Sequence, residues 1–221
     1  MNGAAQEGHL SVVKWLHAVR SEGCTHDAMD RAAENGHLDV LEWLHSNRGE
    51  GCTSKAMDWA AKGGHLGVLE WLDANRLEGC TTDALDNAAE HGHLDVVKWL
   101  HAHDGECTQS ALDSAAAGGH ITVVEWLHAN RKEGGTERAM DDASRNGHLG
   151  MVEWLHANRD EGCTVWAMNS AVLAGHWAVA EWVAVNRPEC ANKWKGYLKQ
   201  LALGLSYQRS SMRGVACDFE G

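Results

Sequence analysis

Proline occurs once in the 221 residues, phenylalanine once and tyrosine twice. A chain so poor in proline is not collagen-like, and 44% apolar with 23% charged residues is the mixture of a folded protein rather than a disordered one. Positive charge is also scarce. Nineteen basic side chains face 31 acidic ones, a net charge of -12 that repels phosphate backbones, so nucleic acid is excluded as a partner. Long apolar runs are missing too. The longest stretch free of Asp, Glu, Lys and Arg, Gly162 to Ala180, is broken by Thr164, Asn169, Ser170, Gly175 and His176. A membrane span wants about 20 mostly apolar residues, so no integral membrane insertion is expected. The start, MNGAAQEGHLSVVKWL, lacks the basic leader, apolar core and cleavage site of a secretory signal. The expectation is a soluble intracellular protein, cytoplasmic or nuclear.

What the chain does contain is tryptophan, 11 in all, and the reason is self-similarity. Gly-His-Leu or a near relative starts at Gly8, Gly36, Gly64, Gly92, Gly119, Gly147 and Gly175, in steps of 28, 28, 28, 27, 28 and 28. Seven residues after each glycine stands Trp15, Trp43, Trp71, Trp99, Trp126, Trp154 or Trp182. Whole repeats open at Thr25, Thr53, Thr81, Thr108, Thr136 and Thr164, while Met1 falls where Met29 falls, so the array begins mid-repeat. Thr25 is suited to cap a first helix of about two turns and Gly36 to stop it. Leu38, Val40, Leu41, Trp43 and Leu44 then form a second short helix with apolar residues on more than one stripe. Neither helix is stable alone, and stacking repeats buries both. Alternation over a strand length is absent, which predicts an all-α chain with little or no sheet.

The alanine pair Ala32-Ala33, the Gly36-His37 turn and Val40-Leu41-Glu42-Trp43-Leu44 resemble the ankyrin repeat, seven times in register over residues 1 to 190. The resemblance implies a right-handed solenoid of stacked helix-turn-helix units, the first repeat truncated, whose first helices line a concave face that binds other proteins. The family's T-P-L-H opening is here T-x-x-A-M-D, with Asp30, Asp58, Asp86, Asp113 and Asp141 in place of its histidine. The repeat is also about five residues shorter than the usual 33, which predicts a tight loop at Asn47 to Cys52 instead of a projecting hairpin.

Like residues in stacked repeats lie roughly 10 Å apart. Cys24, Cys52, Cys80, Cys107 and Cys163 are then too distant to bridge and read as small buried hydrophobes in a reducing compartment. The Asp column has no contrasting partner for acid-base work, and local hydrogen bonding of the first helix and its loop is the expected role. No catalytic residue is indicated. Among 15 histidines the densest group is His91, His93, His101 and His103 with Cys107, without the spacing of a zinc site, so a His/Cys metal-binding array is the weaker alternative and no metal or cofactor is assigned. The Trp column reads as core, with Trp99→Ala costing about 3 to 5 kcal/mol.

Function is sought where repeats differ. The third, seventh and tenth residues vary and share one face of the first helix. The binding residues expected there are Asp27, Arg31, Lys55, Trp59, Lys62, Asp83, Asn87, Arg138 and Asp142. Trp59 between Lys55 and Lys62 is the best anchor, although a solvated surface with a Trp lying over its neighbours fits equally. Trp166 and Trp177, in the least charged repeat, should pack beneath the C-terminal segment. Residues 191 to 207 hold Trp194, Tyr197, Leu198, Leu201 and Leu205 at helical spacing beside Lys193, Lys195 and Lys199. They read as a capping helix, favoured because an exposed end is costly, or as a basic helix recruiting the protein to a membrane or a calmodulin-like groove. Residues 208 to 221 are expected to be a flexible tail. The reading is a monomeric, non-enzymatic scaffold for a protein partner. With 14 basic and 29 acidic side chains in residues 1 to 190, a partner with basic patches is favoured.

Overall fold

A computed structural model describes residues 1–20 and 23–190. The expected capping helix at 191–207 and tail at 208–221 lie outside the described residues. Among those described, all regular structure is helical and there is no strand. The chain divides into two compact bodies, Met1–Ala139 and Met140–Gly221.

The first body holds α1 (Asn2–Gln6), α2 (Leu10–Val19), α3 (Asp27–Glu34), α4 (Leu38–Asn47), α5 (Lys55–Lys62), α6 (Leu66–Asn75), α7 (Thr82–Glu90), α8 (Leu94–Ala102), α9 (Gln109–Ala117) and α10 (Ile121–Asn130). Helix α11 (Glu137–Arg145) contains the division, and the second body continues with α12 (Leu149–Asn158), α13 (Val165–Ala174) and α14 (Trp177–Asn186). In the first body the odd helices pack in sequence, α1 on α3, α3 on α5, α5 on α7 and α7 on α9, each also against its own even-numbered partner. In the second body α14 packs on α13 and α12.

Local chemistry sets these boundaries. Thr81, Thr108 and Thr164 cap α7, α9 and α13, each hydroxyl accepting from the amide two residues on. Helices α3 and α5 start a residue later, yet Thr25 and Thr53 accept the same bond from Asp27 and Lys55, both at 3.3 Å. At the other end Gly36 takes φ +76, where any side chain would be strained, and a Cβ there would stand 2.7 Å from His65 Nδ1 of the next repeat. Even helices end where Asn47, Asn75 and Asn130 donate their side-chain amides to the carbonyls of Trp43, Trp71 and Trp126, each at 2.8 Å.

The core is not the tryptophan column. Helix α3 buries Ala28, Met29, Asp30, Ala32 and Ala33, and α4 buries Val40, Leu41 and Leu44. Trp15 is 59% exposed, and Trp43, Trp71, Trp99, Trp126, Trp154 and Trp182 are half-buried. The reason is angular. At roughly 100° per residue, Trp43 points about 100° away from the middle of the Val40-Leu41-Leu44 stripe and comes to rest on the flank of its helix. There the preceding repeat's imidazole meets it in a T-shaped contact: His17 lies 5.2 Å from Trp43, His45 5.3 Å from Trp71 and His101 5.1 Å from Trp126, centroid to centroid.

Candidate functional site

The seams between repeats are polar, and they account for most of the side chains that looked chemically tempting. Asp30 accepts from the Thr53 amide at 2.8 Å and its hydroxyl at 2.7 Å. Asp58 does the same for Thr81, Asp86 for Thr108, Asp113 for Thr136 and Asp141 for Thr164. The expectation that these carboxylates order their own helix and loop is corrected: each orders the start of the following repeat. Asn2 stands at the first place and donates its amide to Thr25 Oγ1 at 2.8 Å. Burial raises the carboxyls of Asp58 and Asp141 despite the bonds from threonine. Both oxygens of each carboxylate are engaged in this clasp.

Histidines are spent similarly. His93 Nε2 donates to the Lys62 carbonyl and His120 Nε2 to the Glu90 carbonyl, both at 3.1 Å, while their rings cover Gly64 and Gly92 of the preceding turn. The group expected to be densest does not form a ligand set: His91 and His93 stack at 6.2 Å, and His103 lies on Trp99 at 4.0 Å. His26, Asp27 and Asp30 do bring ligand atoms within 4.8 Å of one another. However, both Asp30 oxygens already serve Thr53, and Asp27 Oδ2 accepts from the Thr25 hydroxyl.

In the cysteine column, Cys52 and Cys107 are buried, but Cys24, Cys80 and Cys163 are only half-buried. Desolvation pushes the Cys52 and Cys107 thiols up to about 11, which keeps them protonated and unreactive at neutral pH. Cys163 meets Cys190, which follows Trp182 by eight residues as Cys107 follows Trp99, with 2.9 Å between sulfurs, nearer than the roughly 10 Å between like residues of stacked repeats allows for. Both thiols are raised by burial.

The variable face of the first helices is where free functional groups gather. Trp59, half-buried on α5, has the Arg31 guanidinium 5.8 Å from its ring centroid and Lys55 Nζ at 5.4 Å. The two cations come from successive first helices. Arg31 also pairs with Glu34 at 3.8 Å, a contact the spacing argument passed over although i,i+3 pairing makes it legible. Lys55, Lys62 and Asp83 are exposed, while Asp27, Arg31 and Asn87 are half-buried. Asn87 contributes its carbonyl to His91 Nδ1 at 3.0 Å. Arg138 is exposed on α11, and Asp142 is half-buried in the second body. Trp59 thus gathers Arg31 and Lys55. Trp166 and Trp177 are 65% and 40% exposed, and the segment expected to cover them lies outside the described residues.

No helix among the described residues is long and apolar enough to cross a membrane. No curated protein matches the chain significantly. A family model described as ankyrin repeats (many copies) matches five successive windows, residues 4–45, 29–72, 57–101, 85–128 and 112–156. The windows start 25, 28, 28 and 27 residues apart, close to the 28- or 27-residue period on which the Asp-Thr clasps and Gly-His turns are built, and the chain belongs to the ankyrin repeat family.

Proposed function

We propose that the protein is a non-enzymatic scaffold that binds a polypeptide partner through the variable face of its first helices. Ankyrin repeats generally mediate protein-protein interaction, and they are typically non-enzymatic. The observation that carries the finer reading is Trp59 flanked by Arg31 and Lys55. A large amphipathic ring with cations on call is the composition of an interface hot spot. Asp27, Lys62, Asp83, Asn87, Arg138 and Asp142 are the polar contacts of that reading. The negative charge of residues 1 to 190 speeds encounter with a basic protein partner and discourages nucleic acid. A monomer inside the cell fits the same picture. The alternative of recruitment through 191–207 falls outside the described residues, and the His/Cys array finds its imidazoles already engaged at the turns.

Affinity capture tests this. Trp59→Ala combined with Lys55→Glu should lose a protein that the parent and Trp166→Ala both retain, and the purified partner should bind the Trp59→Ala variant about thirtyfold more weakly. Equal capture and equal affinity would place the interface elsewhere.

A further inference from the structure

One seam lacks the side chain that closes the others. At the regular seams an arginine reaches back over the glycine of the preceding loop. Arg48 covers Gly23, where a Cβ would stand 2.5 Å from its Nη2; it pairs with Glu50 and donates to His17 Nδ1 at 3.3 Å. Arg76 covers Gly51 and pairs with Glu78. Arg131 donates to the Gly105 carbonyl at 3.1 Å and His101 Nδ1 at 3.2 Å, and pairs with Glu133 at 2.7 Å. In the second body Arg187 approaches Gly162 in the same manner.

In the fourth repeat the arginine position is Asp104, at φ +58, and its loop is the one shortened by a residue. Gly79 then has no atom within 4 Å of a notional Cβ. The place that holds His17, His45 or His101 elsewhere holds Asp73. Deprived of that imidazole, Trp99 stacks with its own repeat's His103 at an interplanar angle of 23°, and His103 Nδ1 donates to the Trp99 carbonyl at 2.8 Å, replacing the usual asparagine. What remains is a cleft of about 380 Å³ bordered by Asp73, Gly79, Trp99, His103, Asp104 and Glu106, with no lysine or arginine in its wall. This falls within the range of ligand pockets, roughly 300–1,000 Å³.

We propose that this cleft receives the guanidinium of an arginine side chain carried by a partner polypeptide. The fold fills the equivalent slots with its own arginines, so the shape of the slot is already matched to that side chain. Two changes make this slot more favourable to a cation than its neighbours: a carboxylate, Asp73, replaces the imidazole that faces the guanidinium, and Asp104 removes the resident positive charge. The planar guanidinium can bond carboxylates in a bidentate manner and lie along the Trp99-His103 stack, which an ammonium cannot reproduce. The site is separate from the Trp59 face, and each can fail alone.

The test is titration of the intact protein with Ac-Gly-Arg-Gly-NH2 and with its neutral citrulline counterpart, followed by calorimetry and by the indole N–H resonance of Trp99. The arginine tripeptide should saturate with a Kd of about 1 mM or tighter, and citrulline should bind about tenfold more weakly or worse. Asp73→Asn with Asp104→Asn should weaken the arginine peptide about tenfold. Replacing residues 103–106 by the Asn-Arg-Leu-Glu-Gly of residues 75–79 should fill the slot from within, abolish binding and raise Tm. Trp59→Ala should leave tripeptide binding unchanged, so a failed Trp59 interface does not touch this result. Equal binding of arginine and citrulline, or undiminished binding by the loop replacement, would overturn the assignment.

Discussion

The two helix layers of the first body are built on opposite rules. Odd helices bury mainly small side chains, such as Ala56, Ala60 and Ala61 of α5 beside Met57 and the clasp carboxylate Asp58, whereas even helices bury bulky ones, such as Val68, Leu69 and Leu72 of α6. Alanine at these inner positions lets neighbouring odd helices approach closely. The even layer supplies the apolar volume instead. Because close packing of the odd layer needs only its inner alanines, its other face is free to vary from repeat to repeat, which is where Lys55, Trp59, Asp83 and Asn87 sit.

Leu69→Ala should show the largest effect, about 2–5 kcal/mol lost in a denaturant melt, because it opens a cavity in the volume-filling layer. The converse change, Ala60→Leu, should cost about 1–3 kcal/mol by overpacking. If Ala60→Leu were neutral, the odd helices would not be closely packed and the contrast between layers would collapse. Trp99→Ala should cost about 1–2 kcal/mol, below the range for a core tryptophan, since its ring is half-buried and the site stays open to water. A loss equal to that of Leu69→Ala would return the tryptophans to the core.

The smallest effect belongs to the exposed seam. Hydrogen bonding from Arg48 draws the Glu50 carboxyl down from 4.5 to about 2, and Arg76 lowers Glu78 likewise. A carboxyl depressed by folding stabilises above its unfolded value, and that stabilisation is lost as pH falls through the folded one. Asp58 and Asp141, raised by burial, act with the opposite sign: they favour the fold at low pH and lose that contribution as pH rises through their raised values. Glu50→Gln with Glu78→Gln should therefore flatten the decline of Tm between pH 4.5 and about 2, and only slightly, because exposed pairs contribute little. An unchanged slope would mean the pairs are not stabilising.

The repeat and its odd-helix face are legible in the chain because a strict period exposes which positions stay and which change. The tryptophan flank is not, since an even helix such as α4 carries apolar residues on several sides and periodicity alone does not choose which stripe turns inward. Nor are the Asp30-Thr53 and Cys163-Cys190 contacts, 23 and 27 residues apart, because helical spacing speaks only for neighbours within about one turn. The shortened fourth loop was visible as a 27-residue step amid histidines. Its meaning depended on knowing that Arg48, Arg76 and Arg131 fold backwards, which no local pattern announces.

Each aspartate clasp ties one repeat to its successor, so the joints are interchangeable. Excising residues 53–80 would present Asp30 with Thr81 in place of Thr53, an identical handshake, and the Asp86-Thr108 clasp shows that a loop one residue shorter still delivers its threonine. Such a chain can grow or shrink by whole modules without redesigning a single joint, and that freedom to duplicate leaves the outer positions open to diverge.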